Sequence, residues 1–588
     1  MGESPDMVDL ITEHIDIWTT AQEQPARGRG RKTNGHSPYG IKKLRELILE
    51  LAVCGKLVPQ DPSDEPASVL LKKIAQEKAR LIQKGEIKKQ KKLSEITDDE
   101  KVFKLPEGWE WARLEEYAKK ITDGEHISPK KTSEGIMLLT AKHVLDNGVS
   151  TDDPQYVATD DAAKFRLRCD PEVGDVLICS RGTIGRCCVV KIADYFCLMG
   201  SVIQVRTFEE VDPYYLNIYL KSGTGQLFIR GVTKGMAVNA LYLKDIRLSP
   251  LPLAPLAEQH RIVAKVDELM ALCDQLEQQQ TNSNETHQTL VETLLTTLTN
   301  AADQKEFADT WHRIAAHFDT LFTTEQSITH LKQTILQLAV IGKLVPQNPT
   351  DEPASTLLEK IAKEKTRLIK EGKIKKQKML PEISDEEKPF ELPEGWEWCN
   401  LSDLFAIVTD GDHQAPPKSD TGVPFLVIGN LNTGEVALDG CRYVPEDYYQ
   451  NLDWSRQPIA GDLLYTVTGS YGIPILVDSD ANFCVQRHVA ILKSTKSSPR
   501  KYLLMALASK CALDYATEIA TGIAQKTVPL TGLRRMPTPV APENEQQRIV
   551  AKVDELLALC DQMQSKLTSQ RTTTCHLADA FVQQATIS

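Results

Sequence analysis

The sequence predicts a mixed α/β (α+β) protein. It has two globular domains separated by long antiparallel coiled-coil helices, with an internal repeat. Three observations predict this. EQHRIVAKVDELMALCDQ at 258–275 returns 287 positions later as EQQRIVAKVDELLALCDQ. LAVCGKLVPQDPSDEPAS from Leu51 returns from Leu338, and LPEGWEW from Leu105 returns from Leu392, at the same offset. Between these near-literal blocks, 112–250 and 399–537 share only a skeleton of Gly, Asp and apolar positions. Thr122-Asp123-Gly124 matches Thr409-Asp410-Gly411, Gly174-Asp175 matches Gly461-Asp462, and Phe196-Cys197 matches Phe483-Cys484. Near-identical ends around divergent middles describe one framework holding two specialised modules.

Taken in order, the chain divides at composition shifts. Residues 1–104 read as a helical region with a flexible insert at 25–40, PARGRGRKTNGHSPYG. His14 aligns with His317 at an offset of 303, and the extra 16 positions are the length of that Pro/Gly-rich, basic stretch. ILELAVCGKLVP and ILQLAVIGKLVP read as helix ends, with Gly55 and Gly342 near the C-cap. A second helix follows, with Leu70, Ile74, Leu81 and Ile82 inward and lysines outward, running into the basic tails EIKKQKK and KIKKQK. Residues 105–255 and 392–541 are the two α/β modules. VGDVLICSRGTIGRCCVVKI and AGDLLYTVTGSYGIPILV alternate strand-like runs around glycine pairs, and 212–227 and 499–513 read as helical. Residues 256–391 form the central helical region and 542–588 the C-terminal helix. Pro255 and Pro542 mark the helix starts. Ile262, Val266, Leu269, Cys273 and Leu276, and then Ile549, Val553, Leu556, Cys560, Met563 and Leu567, step alternately by four and three, the spacing of a helix-on-helix seam.

With 588 residues the chain exceeds one core, and 41% hydrophobic with 26% charged residues is a globular composition. Its 13 cysteines show no CxxC and no zinc spacing, and several lie in apolar runs, which suits a reducing cytoplasm. No signal peptide is legible at the N-terminus and no apolar run reaches about 18 residues, so a cytoplasmic, membrane-free protein is expected. The net charge of −12 argues against coating nucleic acid by bulk charge but leaves local basic surface open.

Enzyme motifs are absent. There is no phosphate-binding loop of the G-x-x-x-x-G-K-[ST] type and no GxGxxG after a strand. Ala415-Pro416-Pro417-Lys418 lacks the flanking residues of an amino-methyltransferase motif. Thr-Asp-Gly-x-His occurs twice, at His126 and His413, with no nucleophile motif beside it, and reads as a tight turn. Between Arg487 and Arg535 nine Lys and Arg face two acids, whereas the matching stretch of the first module has six against four. Local excess of this kind suits phosphate, and Arg, Lys, Asn and Gln on loops suit base edges. The DNA-binding candidates are Lys130, Lys131, Lys142, Arg181, Lys234 and Asn239 in the first module. In the second they are Gln414, Lys418, Asn430, Arg442, Tyr471 and Lys526. A seam of about 25 residues spans roughly 37 Å, close to the 34–36 Å or so of one B-DNA turn.

The order LPEGWEW, TDG-x-H, GD-[VL]-L…G-[ST]-x-G, then PLPLAPLAEQ-x-RIV, present twice, resembles the specificity subunit of type I restriction–modification systems. The second copy departs slightly, as PTPVAPENEQQRIV. The resemblance covers residues 41–588. It implies two target recognition domains with pseudo-twofold symmetry, each reading half of an asymmetric bipartite double-stranded DNA site. It implies a non-catalytic chain with no cofactor or metal of its own. Two methyltransferase subunits and two restriction/translocase subunits are the implied partners, and they would use S-adenosylmethionine, ATP and magnesium. Two other readings stay open at this level: a stand-alone two-headed DNA-binding regulator, and a cytosolic scaffold with no nucleic-acid role.

Overall fold

Apart from Gln304–Ala316, a helix with no counterpart among the described residues, the main helices come in one order, written twice. The first repeat has α1 (Ile15–Thr20), α2 (Tyr39–Val53), α3 (Ala67–Gln83), then α4 (Pro213–Lys221) and α5 (Gly223–Val232) inside the module, then α6 (Leu256–Asn300). The second has α7 (Phe318–Leu321), α8 (Glu325–Val340), α9 (Ala354–Lys370), α10 (Arg500–Ala508), α11 (Lys510–Ile519) and α12 (Glu543–Ile587). The computed structural model describes residues 13–22, 38–87, 93–233, 239–413, 416–523 and 525–587. Of the stretch 25–40, residues 25–37 lie outside the described residues, as do the lysines of EIKKQKK. Tyr39 and Gly40 form the first turn of α2. Gly40 is needed there because a Cβ would stand 2.3 Å from the Trp18 carbonyl oxygen, so α1 and α2 meet at their backbones. His14 and His317 both occupy the position before a helix, in keeping with the 303 offset.

Contacts divide the chain into two units, Met1–Ser283 with Ser569–Ser588, and Asn284–Thr568. Each long helix therefore contributes its first part to its own repeat's unit and its last part to the other. In the first unit Ile262, Val266, Leu269 and Cys273 are buried in one cluster with Leu44, Leu47, Ile48 and Leu51 of α2 and Ala578 of α12, with Leu276 at its margin. Arg45 of α2 pairs with Asp274 at 2.6 Å and Glu277 at 2.8 Å on α6. On α2, the Tyr39 hydroxyl donates to Asp579 of α12 at 2.8 Å, and Lys43 lies 3.3 Å from the same carboxylate. In the second unit Ile549, Val553 and Cys560 are buried and Leu556, Met563 and Leu567 half-buried, clustered with α8 and with Val291, Leu295 and Leu298 of α6. There Lys332 pairs with Asp561 at 2.5 Å and His330 lies 3.5 Å from Glu292. Lys43 and His330, Arg45 and Lys332, Asp274 and Asp561, and Glu292 and Asp579 are counterparts 287 positions apart, so the repeats exchange helix ends reciprocally. The polar TNSNETH at 281–287 is helical throughout. Among the described residues no helix is long and apolar enough to cross a membrane.

The repeated motifs meet at the N-terminus of each long helix. Trp109, from LPEGWEW, donates its indole N–H to Glu258 at 2.9 Å, and Gln60 donates to the other carboxylate oxygen at 3.0 Å. Gln259 donates to the Ala254 carbonyl at 2.9 Å, and Arg261 pairs with Asp64 at 2.7 Å. The second copy repeats this with Trp396 and Gln347 on Glu545 at 3.1 and 3.2 Å, Gln546 on Ala541 at 2.8 Å, and Arg548 with Asp351 at 2.8 Å. An anion is favoured at a helix N-terminus. Burial nevertheless pushes the pKa of both glutamates up, against the bonds from Gln60 and Trp109 at Glu258 and from Trp396 and Gln347 at Glu545.

Nine strands of the first module recur in the second; the Val144–Leu145 and Gly148–Val149 hairpin of the first has no counterpart among the described residues. In the first, β1 (Glu110–Arg113) pairs with β9 (Pro250–Leu253); β2 (Ala118–Asp123), β8 (Val202–Thr207), β5 (Val176–Cys179) and β6 (Cys187–Val189) make an antiparallel sheet in that order; and β4 (Gln155–Val157), β3 (Ile136–Leu139) and β7 (Phe196–Leu198) make a third, with β3 and β7 parallel. In the second, β10 (Glu397–Asn400) pairs with β18 (Pro537–Val540). The four-stranded sheet runs β11 (Ile407–Asp410), β17 (Val489–Lys493), β14 (Leu463–Thr466), β15 (Pro474–Leu476), and the third runs β13 (Arg442–Val444), β12 (Val423–Leu426), β16 (Cys484–Val485). The helical stretches 212–227 and 499–513 differ from expectation: each is two helices. Ser222 and Ser509 adopt extended backbone, donate to the Tyr219 and Ala506 carbonyls, and cap the helix that follows.

Glu258→Ala should strand the buried Trp109 N–H and lower the unfolding free energy by about 1–3 kcal/mol, while Glu258→Gln should lower it less. Because the folded pKa is raised, the glutamate's favourable contribution is complete below its unfolded pKa and is lost as pH rises through the folded one. E258Q should therefore flatten the loss of stability above about pH 4.3. Urea melts across pH read both effects, and equal slopes for E258Q and wild type would show a solvated carboxylate.

Candidate nucleic-acid interface

Five turns of each module converge on one surface because their backbones bond to one another. In the first, Glu125 N–H donates to the Leu198 carbonyl at 2.8 Å and Gly200 N–H to Glu125 at 2.7 Å. Ser180 N–H donates to Ser201 at 2.9 Å, Leu241 N–H to Ser180 at 3.0 Å, and Ala141 N–H to the Ser201 hydroxyl at 3.2 Å. This joins the turns near 125, 141, 180, 200 and 240. In the second, Gln486 N–H donates to Leu426 at 3.0 Å, Val467 N–H to His488 at 3.0 Å, Val528 N–H to Val467 at 2.8 Å and Gly469 N–H to Lys526 at 3.0 Å. Asp412 bridges to Gln486. The Thr-Asp-Gly turn needs its glycine: a Cβ on Gly124 or Gly411 would fall 2.1 or 2.0 Å from a carbonyl oxygen of the neighbouring strand. Its histidines close the turn on the aspartates, His126 on Asp123 at 2.9 Å and His413 on Asp410 at 3.1 Å.

On this scaffold the predicted residues fall as follows. Lys130 and Lys131 are exposed after β2, and Lys418 is exposed at the position equivalent to Lys131. Asn239 and Lys526 are likewise exposed equivalents, each beside the β5–β6 or β14–β15 turn, and Arg181 is exposed on the first of these turns. Lys142 is exposed but pairs with Asp153 at 2.8 Å. Arg442 is exposed at the start of β13. Asn430 accepts from Val427 N–H at 3.1 Å with its side-chain oxygen, the bond that His143 makes with Thr140 N–H at 2.9 Å in the first module. Tyr471 is half-buried, and its hydroxyl donates to Thr517 at 3.3 Å. Lys234 and Gln414 lie outside the described residues.

Charge is distributed differently from its count in the sequence. Of the nine cations between Arg487 and Arg535, five are engaged within the fold. Lys493 pairs with Asp462, Lys510 with Asp514 and Arg535 with Glu387, while Arg500 and Arg534 donate to the carbonyls of Thr495 and Val408. Among the described residues, Lys418, Arg442, Arg487 and Lys526 keep their charges unpaired in the second module, as do Lys130, Lys131 and Arg181 in the first.

Residues 106–285, which hold the first module and the start of α6, match the family described as the type I restriction modification DNA specificity domain. Two Escherichia coli proteins, the specificity subunits of the type I restriction enzymes EcoAI and EcoEI, are each 39% identical to the chain over 98% of it and 99% of their own length. The chain belongs to the type I restriction enzyme specificity subunits. It is a DNA sequence-recognition subunit and not itself an enzyme. A chain solved in a study of assembly and conformational transition of the type I system is 19% identical, with a TM-score of 0.46 over 82% of this chain and 99% of that one.

Within this specificity subunit, sequence reading missed His488 and Ile523 as surface features and the buried Thr468 behind His488, and entered Arg487 only as one charge among nine. Ile523 stands fully exposed at the tip of the 521–527 loop, whose base is closed by two Thr521–Thr527 backbone bonds of 2.9 and 2.8 Å. A usable signal lay one residue past the shared Phe-Cys pair, where Met199-Gly200-Ser201 becomes Gln486-Arg487-His488. The shared Gly-Asp pair, by contrast, is structural. Asp175 takes Arg206 at 2.8 and 2.9 Å; buried Asp462 takes the buried Lys493 at 2.6 Å, whose ammonium also lies 4.7 Å from the Trp454 ring centre. Burial pushes the Lys493 pKa down and Asp462 pulls it back.

Asp462→Asn leaves Lys493 buried without an anion and should destabilise the second module by roughly 3–5 kcal/mol. Asp175→Asn should weaken the first module less, because Arg206 keeps Glu172 at 3.1 Å and Asp170 at 3.6 Å. Urea denaturation of the two variants side by side checks the order.

Proposed function

We propose that 105–255 and 392–541 are the two target recognition domains, each reading one half of an asymmetric bipartite site in double-stranded DNA. The helical segments 1–104, 256–391 and 542–588 dock two methyltransferase subunits and set the spacer between the half-sites. Two restriction/translocase subunits complete the assembly. S-adenosylmethionine, ATP and magnesium act on those partners, and this chain binds no cofactor. The observation that carries this reading is the pairing of constancy with divergence. Strands and framework bonds recur at one offset, while side chains on the converging turns change, as Asn239 to Lys526 and Ser201 to His488. The exposed unpaired cations supply phosphate contacts, and the polar turn residues supply base contacts. Membership of the family leaves the stand-alone regulator and the scaffold without support.

Exchanging 105–255 for the corresponding domain of another family member should change one half-site and leave the other. Methylation mapping on random DNA reads this directly, and a change in both halves would sink the two-reader model. A second expectation concerns the spacer. Four residues inserted after Gln280 and after Leu567, the equivalent point of α12, lengthen each helix by about 6 Å. Unchanged half-sites should then be methylated across a spacer about two base pairs longer. Altered half-sites with the original spacer would show that the helices do not set it.

A further inference from the structure

Thr468 is almost completely buried, and its hydroxyl lies between two partners. The Thr527 hydroxyl donates to it at 3.3 Å, and His488 Nδ1 lies 3.1 Å from the same oxygen. A threonine hydroxyl has one proton to give. Among the described residues, His488 Nδ1 is the acceptor that the Thr468 proton has in reach. Nδ1 therefore accepts, and the ring is held as the neutral Nε2–H tautomer. Burial and the neighbouring Arg487 act in the same direction, pushing the His488 pKa down. Nε2 bonds to no described residue, and the half-buried ring sits on the interface between exposed Arg487 and the turn carrying Thr468. The Val467 N–H bond to the His488 carbonyl ties the backbone of that turn. In the first module the equivalents of Thr468, His488 and Thr527 are Arg181, Ser201 and Ala240, so the relay belongs to the second module alone.

Resting on the reading of 392–541 as a recognition domain, we propose that His488 is a specificity-determining residue, its fixed Nε2–H donating to a purine N7 in the major groove. Thr468 and Thr527 are positioning residues that set the tautomer. A neutral donor distinguishes this contact from the charged, sequence-blind ones made by Arg487 and Lys526 to phosphate.

The test uses the full chain assembled with its methyltransferase subunits. Methylation of a random DNA pool by His488→Ala should lose its preference at one purine of the second half-site and keep the first half-site intact. Thr468→Val should relax that same position by a smaller factor. Placing a 7-deazapurine there should weaken wild-type binding about tenfold and leave H488A unaffected. His488→Gln, which retains a side-chain N–H, should recover part of the preference, and it serves where the alanine variant fails to assemble. An unchanged consensus in assembled variants would overturn the proposal. So would a uniform loss of affinity with a shallower salt dependence, which marks a phosphate contact. A wild-type pattern that ignores replacement of 392–541 would instead overturn the reader assignment on which the proposal stands.

Discussion

The rest of the structure depends on a carboxylate buried at the start of a helix. Glu258 and Glu545 each take an indole N–H from LPEGWEW and an amide N–H from the segment after α2 or α8. A buried carboxylate without donors would be expelled, so three remote stretches must arrive together before a long helix can begin. The neighbouring glutamine caps the strand end and the arginine two positions on clamps an aspartate, so in both copies Glu-Gln-x-Arg ties the helix start to three elements. A module can therefore change on its far surface while its junction to the helix stays constant. This explains why the repeats are near-literal where they are.

The framework was legible in the sequence because its constraints are periodic or duplicated. The four-three spacing of Ile262 to Leu276 names the buried face correctly, and Gly55 and Gly342 end α2 and α8 with the positive φ that a C-cap requires. The partner of that seam was not legible. Heptad spacing states that a face is covered, not by what, and the cover includes the preceding helix α2 or α8 as well as the far end of the other repeat's long helix. The break within 212–227 was hidden for a similar reason. Ser222 is unremarkable in composition, and only its two capping bonds reveal that it ends one helix and starts the next.

At the interface the sequence was informative in proportion to how local the chemistry is. Exposure of Lys131 and Lys418 follows from their position between strands, and that of Asn239 and Lys526 from their position in loops between helices. Charge counting was a poorer guide, since cations such as Lys493 and Arg535 find their anions across 31 and 148 positions. A one-dimensional tally cannot subtract partners that the fold supplies from afar. Asn430 illustrates the converse: a residue type suited to adenine turns its oxygen inward to close its own turn, as His143 does in the other copy.

The two modules show how recognition can diverge without loss of fold. The converging turns are joined to one another largely by backbone donors and carbonyls, which any side chain supplies, so many substitutions there leave those bonds in place, the Ser201 hydroxyl on Ala141 N–H being an exception. Where a side chain does hold the scaffold, the copies change in concert with the partner kept: Asp175 with Arg206 becomes Asp462 with Lys493. Arginine, its side chain still 22% exposed, tolerates several carboxylates around it, whereas the fully enclosed lysine depends on one carboxylate, one carbonyl and a tryptophan face. The same sheet position is thus more sharply constrained in the second module.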